Sequence, residues 1–258
     1  MAISPDFRTY APSTSANAAV LDAGLRAYML RVYNWMCSGL ALTGIVAYGV
    51  ANTTLITLFY HPVRTAGGYI AYQPTGLGYL AMLAPLAFVM VLSFGINRLS
   101  RPATQALFWA FAAAMGASLA NIFLIYSGAS IARVFFITAA TFAAMSLYGY
   151  TTRADLSRMG SFLMMGLIGI IITSLVNLFI ASTALQFAIS IIGVLVFVGL
   201  TAFDTQRIKG DYVQYAYAEG TDLAAKRSVY DALTLYLNFI NLFMLLLQLF
   251  GGSRNSNS

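Results

Sequence analysis

Asp204 is the residue whose type and position most clearly suggest chemistry in this sequence. It lies near the end of an apolar run, Phe187–Lys209 (FAISIIGVLVFVGLTAFDTQRIK), which offers a carboxylate few polar neighbours. An ionisable group in such a run is costly to bury, which makes it a candidate functional site. Two interpretations are open. Asp204 could be an ion or proton site facing the protein interior, or it could form an interfacial ion pair with Arg207, three residues later.

The last apolar run, Tyr230–Phe250 (YDALTLYLNFINLFMLLLQLF), supplies the candidate partners of Asp204. Asp231 and Asn238 are seven residues apart, so a helix places them nearly on one face and about 10.5 Å apart along its axis. Asn241 adds a third polar position. Such a stripe is typical of a helix that is surrounded by other helices or lines water. Alternatively, Ser228 and Asp231 form a capping box at the start of the helix.

Composition indicates the class of protein that must position these residues. The chain is 60% hydrophobic and 9% charged, with a mean hydropathy of +0.77, whereas a soluble domain has roughly a quarter charged residues. The sequence therefore predicts a membrane protein that crosses the bilayer several times, in one membrane domain. The basic residues behind the net charge of +6 lie between apolar runs, so they indicate topology rather than nucleic-acid binding. The single cysteine, Cys37, excludes an intrachain disulfide.

Seven apolar runs predict an all-α membrane protein with seven transmembrane helices. Residues 1–31 are interpreted as an N-terminal tail with an amphipathic lead-in from Leu21, residues 32–250 as the membrane domain and residues 251–258 as a polar C-terminal tail. The stretch from His61 to Gly76 is predicted to be a non-helical loop, and Gln206 to Ser228 the longest polar connection. The predicted runs are Val32–Phe59, Leu77–Asn97, Ala103–Tyr126, Ile131–Tyr150, Phe162–Ala181, Phe187–Lys209 and Tyr230–Phe250.

Lysine and arginine are distributed unevenly between the two sides of this topology. Eleven lie in the N-terminal tail and the second, fourth and sixth loops, against three on the other side. Because cytoplasmic loops carry the excess of basic residues, the bias predicts a cytoplasmic N-terminus. Seven full spans place the C-terminus outside, whereas a re-entrant seventh run would return it to the cytoplasm. Asp204 then lies near the cytoplasmic end of the sixth span.

Two C-terminal segments resemble the signatures of the Bax inhibitor-1 family, the transmembrane Bax-inhibitor-motif proteins. They are the segment ending in FDTQRIK, from Leu200 to Lys209, and ALTLYLNFINLF, from Ala232 to Phe243. The resemblance covers roughly residues 20 to 250. It implies a fold in which the seventh helix is enclosed by the other six, and a calcium-leak activity that responds to pH. It also implies a pair of aspartates, one in each signature, that share a proton, and a gating arginine at the cytoplasmic end of the second helix.

Carried over by position, the resemblance assigns Asp204 as the first aspartate and the group that meets the metal ion. The second position departs from the pattern, because the chain has Asn238 where the family has aspartate. An Asp–Asn pair lacks the like-charge coupling of two carboxylates, so we expect weakened or shifted pH gating. Asp231 is the alternative second carboxylate. The arginine corresponds to Arg98 or to Arg101.

The resulting expectation is a passive calcium or cation pathway with no cofactor, located in a bacterial plasma (inner) membrane. Its expected partners are the lipid bilayer and calcium ions or protons, and not nucleic acid. The alternative is a regulatory protein that binds other membrane proteins, such as a membrane protease. A secondary transporter would show paired broken helices or repeats, and the sequence has neither. An enzyme is not expected, because His61 is the sole histidine and the sequence contains neither HExxH nor a phosphate-binding glycine loop.

Overall fold

The apolar runs form long helices in the computed structural model, which describes residues 13–64, 70–95, 98–215 and 221–252. Short helices and one hairpin occupy the connections. The helices are α1 Ser13–Ala51, α2 Ile56–Phe59, α3 Gly76–Gly95, α4 Arg101–Leu119, α5 Ile122–Ile125, α6 Gly128–Thr151, α7 Ser157–Ile180, α8 Thr183–Tyr215 and α9 Thr221–Phe250, and the strands are β1 Tyr60–Arg64 and β2 Ile70–Pro74.

Seven helical segments of the described chain are long and apolar enough to cross a bilayer. The shortest, Gly76–Gly95, has 20 residues, and α4 and α5 together make one span, Arg101–Ile125. A helix of about 20 apolar residues spans the hydrocarbon layer. The predicted all-α architecture with seven transmembrane helices is therefore confirmed.

The helices extend further into the polar segments than the sequence predicted. α1 runs without a break through residues 31 and 32, so the lead-in and the first span are one helix, and Leu25 and Met29 are buried in the bundle. α8 continues to Tyr215 and α9 begins at Thr221, so most of the predicted Gln206–Ser228 connection is helical. Charged residues do not end a helix when they find polar partners, as Lys209 does at the Tyr150 carbonyl, 2.8 Å away.

The first loop contains a two-stranded antiparallel hairpin. Strands β1 and β2 pair with Tyr60 opposite Pro74 and Arg64 opposite Ile70. The predicted non-helical character of this loop is correct for the described residues before α3, and residues 65–69 lie outside the described part of the chain. Its strands were not assigned from the sequence, because the prolines and glycines that indicated a loop do not specify pairing.

Helix α9 forms the centre of the bundle. In its most apolar 18-residue window 56% of the residues are buried, against 11% for α7. Its main packing partners are α1, α4, α6 and α8, while α3 packs on α4 and α7 packs on α8 at the periphery. The C-terminal helix is thus the most enclosed of the seven spans. Four of the other helices, rather than all six, supply most of that enclosure.

Helix α9 also crosses the whole bundle. Near its start, Lys226 Nζ donates to the Leu99 carbonyl between α3 and α4, 2.6 Å away. Just after its end, the Gly252 N–H donates to Ser130 Oγ in the first turn of α6, 2.8 Å away. Its 30 residues correspond to about 45 Å of helix. The re-entrant alternative for this run is therefore wrong.

Helices α6 and α8 approach each other closely beside Asp204. A Cβ atom on Gly149 would lie 2.2 Å from the Ala202 carbonyl oxygen. Because the obstacle is backbone, only glycine permits this approach. The contact fixes the segment of α8 that carries the candidate site.

Candidate functional site

Helix α8 buries Asp204 in its C-terminal half. The residue is 5% exposed, and the neighbouring Thr201, Ala202 and Thr205 are completely buried. Leu200 and Ile208, one turn to either side, belong to the apolar core. The periodicity of the helix therefore directs the carboxylate into the bundle rather than toward lipid.

Two side chains hold the Asp204 carboxylate. Asn238 Nδ2 on α9 donates a hydrogen bond to Oδ2 at 2.7 Å. Arg207 Nη2, one turn further along α8, lies 2.9 Å from Oδ1. A buried charge is tolerated when it is paired and hydrogen-bonded, and each oxygen here has such a partner. Asp204 thus faces the interior and also forms the i, i+3 ion pair, while its role as an ion or proton site stays a prediction.

Arg207 is the more exposed partner in this ion pair. Its side chain is 43% exposed, against 8% for that of Asp204, and its guanidinium lies 5.9 Å from the centre of the Phe203 ring. The guanidinium therefore reaches inward from the polar end of the bundle.

Arg98 follows α3, at the end of the second span, where the family pattern suggested the gating arginine, and that role stays a prediction. It lies on the exposed turn after α3, and the arginine that pairs with Asp204 is Arg207. Helix α3 packs mainly against α4 rather than against α8 or α9. Arg101, the alternative, begins α4.

Asp231 occupies a separate hydrogen-bonded site. Its Oδ2 accepts a hydrogen bond from the Tyr28 hydroxyl on α1 at 2.5 Å, and the Tyr28 ring stacks on Tyr212 with centroids 4.8 Å apart. The capping-box interpretation is wrong, because α9 begins at Thr221. The Ser228 hydroxyl instead donates to the Ala225 carbonyl.

The structure therefore brings Asp204 together with Asn238 but gives Asp231 a different partner. The charges that act on the two carboxylates overlap, since Arg207 interacts electrostatically with both of them. Asp211 and Arg227 act on Asp231 as well. Asn241, the third member of the predicted stripe, is exposed, so the stripe does not face the interior along its whole length.

A chain of hydroxyl groups beside Asp204 was missed from the sequence. Thr205 Oγ1 donates its only hydroxyl proton to the Thr201 carbonyl. It therefore accepts the hydrogen bond that joins it to Ser146 Oγ, 2.9 Å away. Ser146 Oγ in turn accepts a hydrogen bond from the Tyr33 hydroxyl. This chain joins α1, α6 and α8. Single hydroxyl residues in apolar runs are too common to indicate such a connection in advance.

A second polar network, also missed, lies at the opposite end of the α8–α9 interface. Gln186 Nε2 and Ser190 Oγ both donate to Gln248 Oε1, at 2.8 and 2.9 Å. Asn177 Nδ2 donates to Gln186 Oε1 at 3.2 Å. All of these groups are neutral.

The described residues contain no group of three or more histidine, cysteine, aspartate or glutamate side chains placed to hold a metal ion. Asp204 brings one carboxylate and Asn238 one amide oxygen to the α8–α9 interface. Oxygen atoms of these kinds are the ligands that calcium prefers. The assignment of Asp204 to a metal ion stays a prediction.

Comparison with known proteins places the chain in a family. The sequence model described as "Inhibitor of apoptosis-promoting Bax1" matches residues 25–255. The inner membrane protein YbhL of Escherichia coli (strain K12) is 47% identical over 234 residues, which cover 90% of this chain and 94% of YbhL. RP147 of Rickettsia prowazekii is 46% identical over 244 residues, covering 94% and 97% of the two chains. With its seven apolar helices and these relatives, the chain belongs to the Bax inhibitor-1 family of multi-pass membrane proteins.

Proposed function

We propose that this protein is a passive cation leak pathway, with calcium as the transported ion. The observation that supports the proposal is the burial of Asp204 against Asn238, at 2.7 Å, in the interface between α8 and the enclosed helix α9. A buried carboxylate within a membrane bundle marks an ion or proton pathway by default. The proposed role is non-enzymatic and needs no cofactor.

The location proposed for this activity is the bacterial inner membrane. YbhL carries inner membrane in its name, and the excess of basic residues in alternate loops favours a cytoplasmic N-terminus. In that orientation, Asp204 and Arg207 lie at the cytoplasmic mouth of the pathway.

Arg207 is proposed to control access to the carboxylate. Both Asp204 oxygens are occupied, by Arg207 and by Asn238, so a cation reaches the carboxylate when the guanidinium leaves. The exposure of Arg207 makes that movement possible without disturbing the core. Once Arg207 has left, Asp204 provides charge for the ion and Asn238 provides a neutral oxygen after rotation of its amide.

Protons are proposed to act on the same ion pair between Asp204 and Arg207. Protonation of Asp204 removes the charge that attracts Arg207 and weakens the ion pair. Arg207 also interacts with Asp231 on α9, and Asp211 on α8, Arg227 on α9 and Tyr28 on α1 act on that second carboxylate. Because the contacting partner on α9 is Asn238 rather than a second carboxylate, two groups cannot share a proton here. We therefore expect a weaker pH response than an Asp–Asp pair would give.

Calcium flux into liposomes that contain the purified protein tests the proposal. We would record flux between about pH 6 and pH 8 for the wild type, Asp204→Asn and Asn238→Asp. The wild type is expected to pass calcium, Asp204→Asn to change the flux, and Asn238→Asp to steepen its pH dependence, because two carboxylates in contact titrate as a coupled pair.

Asp22→Asn is the matched control, because it removes an exposed carboxylate from α1 and is expected to leave the flux unchanged. If no variant passes calcium above empty liposomes, the leak proposal fails. A regulatory role through binding of other membrane proteins, such as a membrane protease, then takes its place. That role is expected to survive Asp204→Asn.

A further inference from the structure

A large groove opens on the side of the bundle between α1 and α6. Its volume is about 1000 Å³, at the upper end of the range of about 300–1,000 Å³ that is common for ligand sites. Helices α1 and α6 both pack on α9, and Phe239 of α9 contributes to the lining. The groove is therefore a gap between two helices that share a central neighbour.

The walls of the groove are mainly apolar. Met36 and Leu40 line it from α1, and Ala139, Ala143 and Leu147 line it from α6. Both helices are membrane spans, so hydrocarbon surrounds the groove in a bilayer. Apolar walls favour hydrocarbon over water, which makes a lipid chain a better occupant than solvent.

One end of the groove differs from the rest. The charged residue of the lining is Arg26, on α1. The polar side chains of the lining, Tyr33, Ser146 and Tyr150, lie in the same half of the groove as Arg26. Lys209 adds positive charge next to this end, since its Nζ lies 5.2 Å from the centre of the Tyr150 ring. None of the described residues that line the groove carries a carboxylate. This charge distribution fits an anion.

We propose that the groove binds an anionic phospholipid of the bilayer, with its phosphate at Arg26 and one acyl chain along α1 and α6. The guanidinium of arginine matches the geometry of a phosphate, and the apolar walls match the chain. Arg26 lies at the same end of the bundle as Lys209, so the headgroup would lie at the membrane face that carries the positive charge. This proposal is independent of calcium conduction.

The bound lipid would lie one helix away from the candidate ion site. Tyr33 and Ser146 line the groove, and Ser146 is hydrogen-bonded to Thr205, the residue after Asp204. The proposed lipid therefore contacts the hydroxyl chain that supports this part of α8.

Native mass spectrometry of the purified protein with equimolar phosphatidylglycerol and phosphatidylethanolamine tests the proposal. The wild type is expected to retain one phosphatidylglycerol in preference to phosphatidylethanolamine. Arg26→Gln should reduce the retention of phosphatidylglycerol about fivefold, the effect of one basic residue at a membrane surface. Ala143→Phe should reduce the retention of both lipids by filling the groove. Arg26 and Ala143 are exposed, so neither change disturbs the core.

Two matched controls separate the groove from the general surface. Arg31→Gln removes a positive charge from α1 outside this groove, and Ala144→Phe adds the same bulk to an exposed position of α6 outside it. Both are expected to bind lipid like the wild type. Retention of phosphatidylglycerol that is unchanged in both Arg26→Gln and Ala143→Phe would overturn the proposal. Dissociation of a dimer by Ala143→Phe would also overturn the proposal, because a second copy of the chain would then be the occupant of the groove.

Discussion

The two ends of the interface between α8 and α9 are both polar, but they differ in charge and burial. At one end, Asp204 is buried and bound by Arg207 and Asn238. At the other end, Gln248 accepts hydrogen bonds from Gln186 and Ser190, and both glutamines are exposed. The same pair of helices is therefore joined at one end by a hydrogen bond from an amide to a carboxylate that is ion-paired within α8, and at the other end by hydrogen bonds between neutral groups.

This difference separates two roles, joining the helices and responding to protons or cations. Amide groups do not titrate and hold no net charge, so the Gln186–Gln248 contact can join the helices without responding to protons or attracting cations. The Asp204 contact joins the same helices and also carries charges that an ion or a proton can redistribute. A response to pH or calcium at this interface is thus expected at the Asp204 end.

Asn238→Leu, at the charged end of the α8–α9 interface, should cause the largest loss of stability. The change removes the hydrogen bond to Oδ2 and leaves a buried carboxylate oxygen without its donor. We expect a loss of about 2–3 kcal/mol in the free energy of unfolding, the upper range for hydrogen bonds to charged groups. Titration with a denaturing detergent, followed by circular dichroism, measures it.

The matched control for this change is Asn241→Leu, one turn further along α9 at an exposed position. It should alter the free energy of unfolding by less than about 0.5 kcal/mol, as surface substitutions usually do. Equal losses in the two variants would contradict the difference in burial on which the prediction depends.

Gln248→Leu should have a smaller effect at the neutral end. It removes the acceptor of two hydrogen bonds, from Gln186 and Ser190. The expected loss is about 0.6–1 kcal/mol, because neutral hydrogen bonds between membrane helices are weak. A double-mutant cycle with Gln186→Leu isolates the coupling. A loss as large as that of Asn238→Leu would remove the contrast between the two ends.

Ala181→Gly should produce the smallest change, a gain in stability at the neutral end. Ala181 follows α7 with a φ of 53°, a left-handed conformation that costs about 1–2 kcal/mol for a residue with a Cβ. Glycine relieves this cost but makes the unfolded chain more flexible, so we expect a net gain of about 0.5–1 kcal/mol.

The same detergent titration tests Ala181→Gly, with Ala188→Gly as the control. Ala188 is an exposed residue within α8, where glycine should lower the stability by about 0.5–1 kcal/mol. Opposite signs for the two variants support the conformational argument, and a loss in both would contradict it.

Most of the fold could be predicted from local pattern. Apolar runs of about 20 residues require membrane helices, because every backbone polar group must be satisfied within the segment. The runs thus located all seven spans, and the enclosure of α9 was an expectation from the family resemblance. The helix ends were predicted less well, because polar residues such as Lys209 extend a helix when the folded protein supplies a partner.

The sequence by itself determined the class of the protein, the seven spans and the identity of Asp204 and Asn238 as a candidate pair. These depend on composition and on motifs, which are properties of contiguous residues. The tertiary structure decided that Asn238 contacts Asp204, that Tyr28 binds Asp231 and that a groove separates α1 from α6. Such contacts join segments that are distant in the chain, and the packing of whole helices determines them.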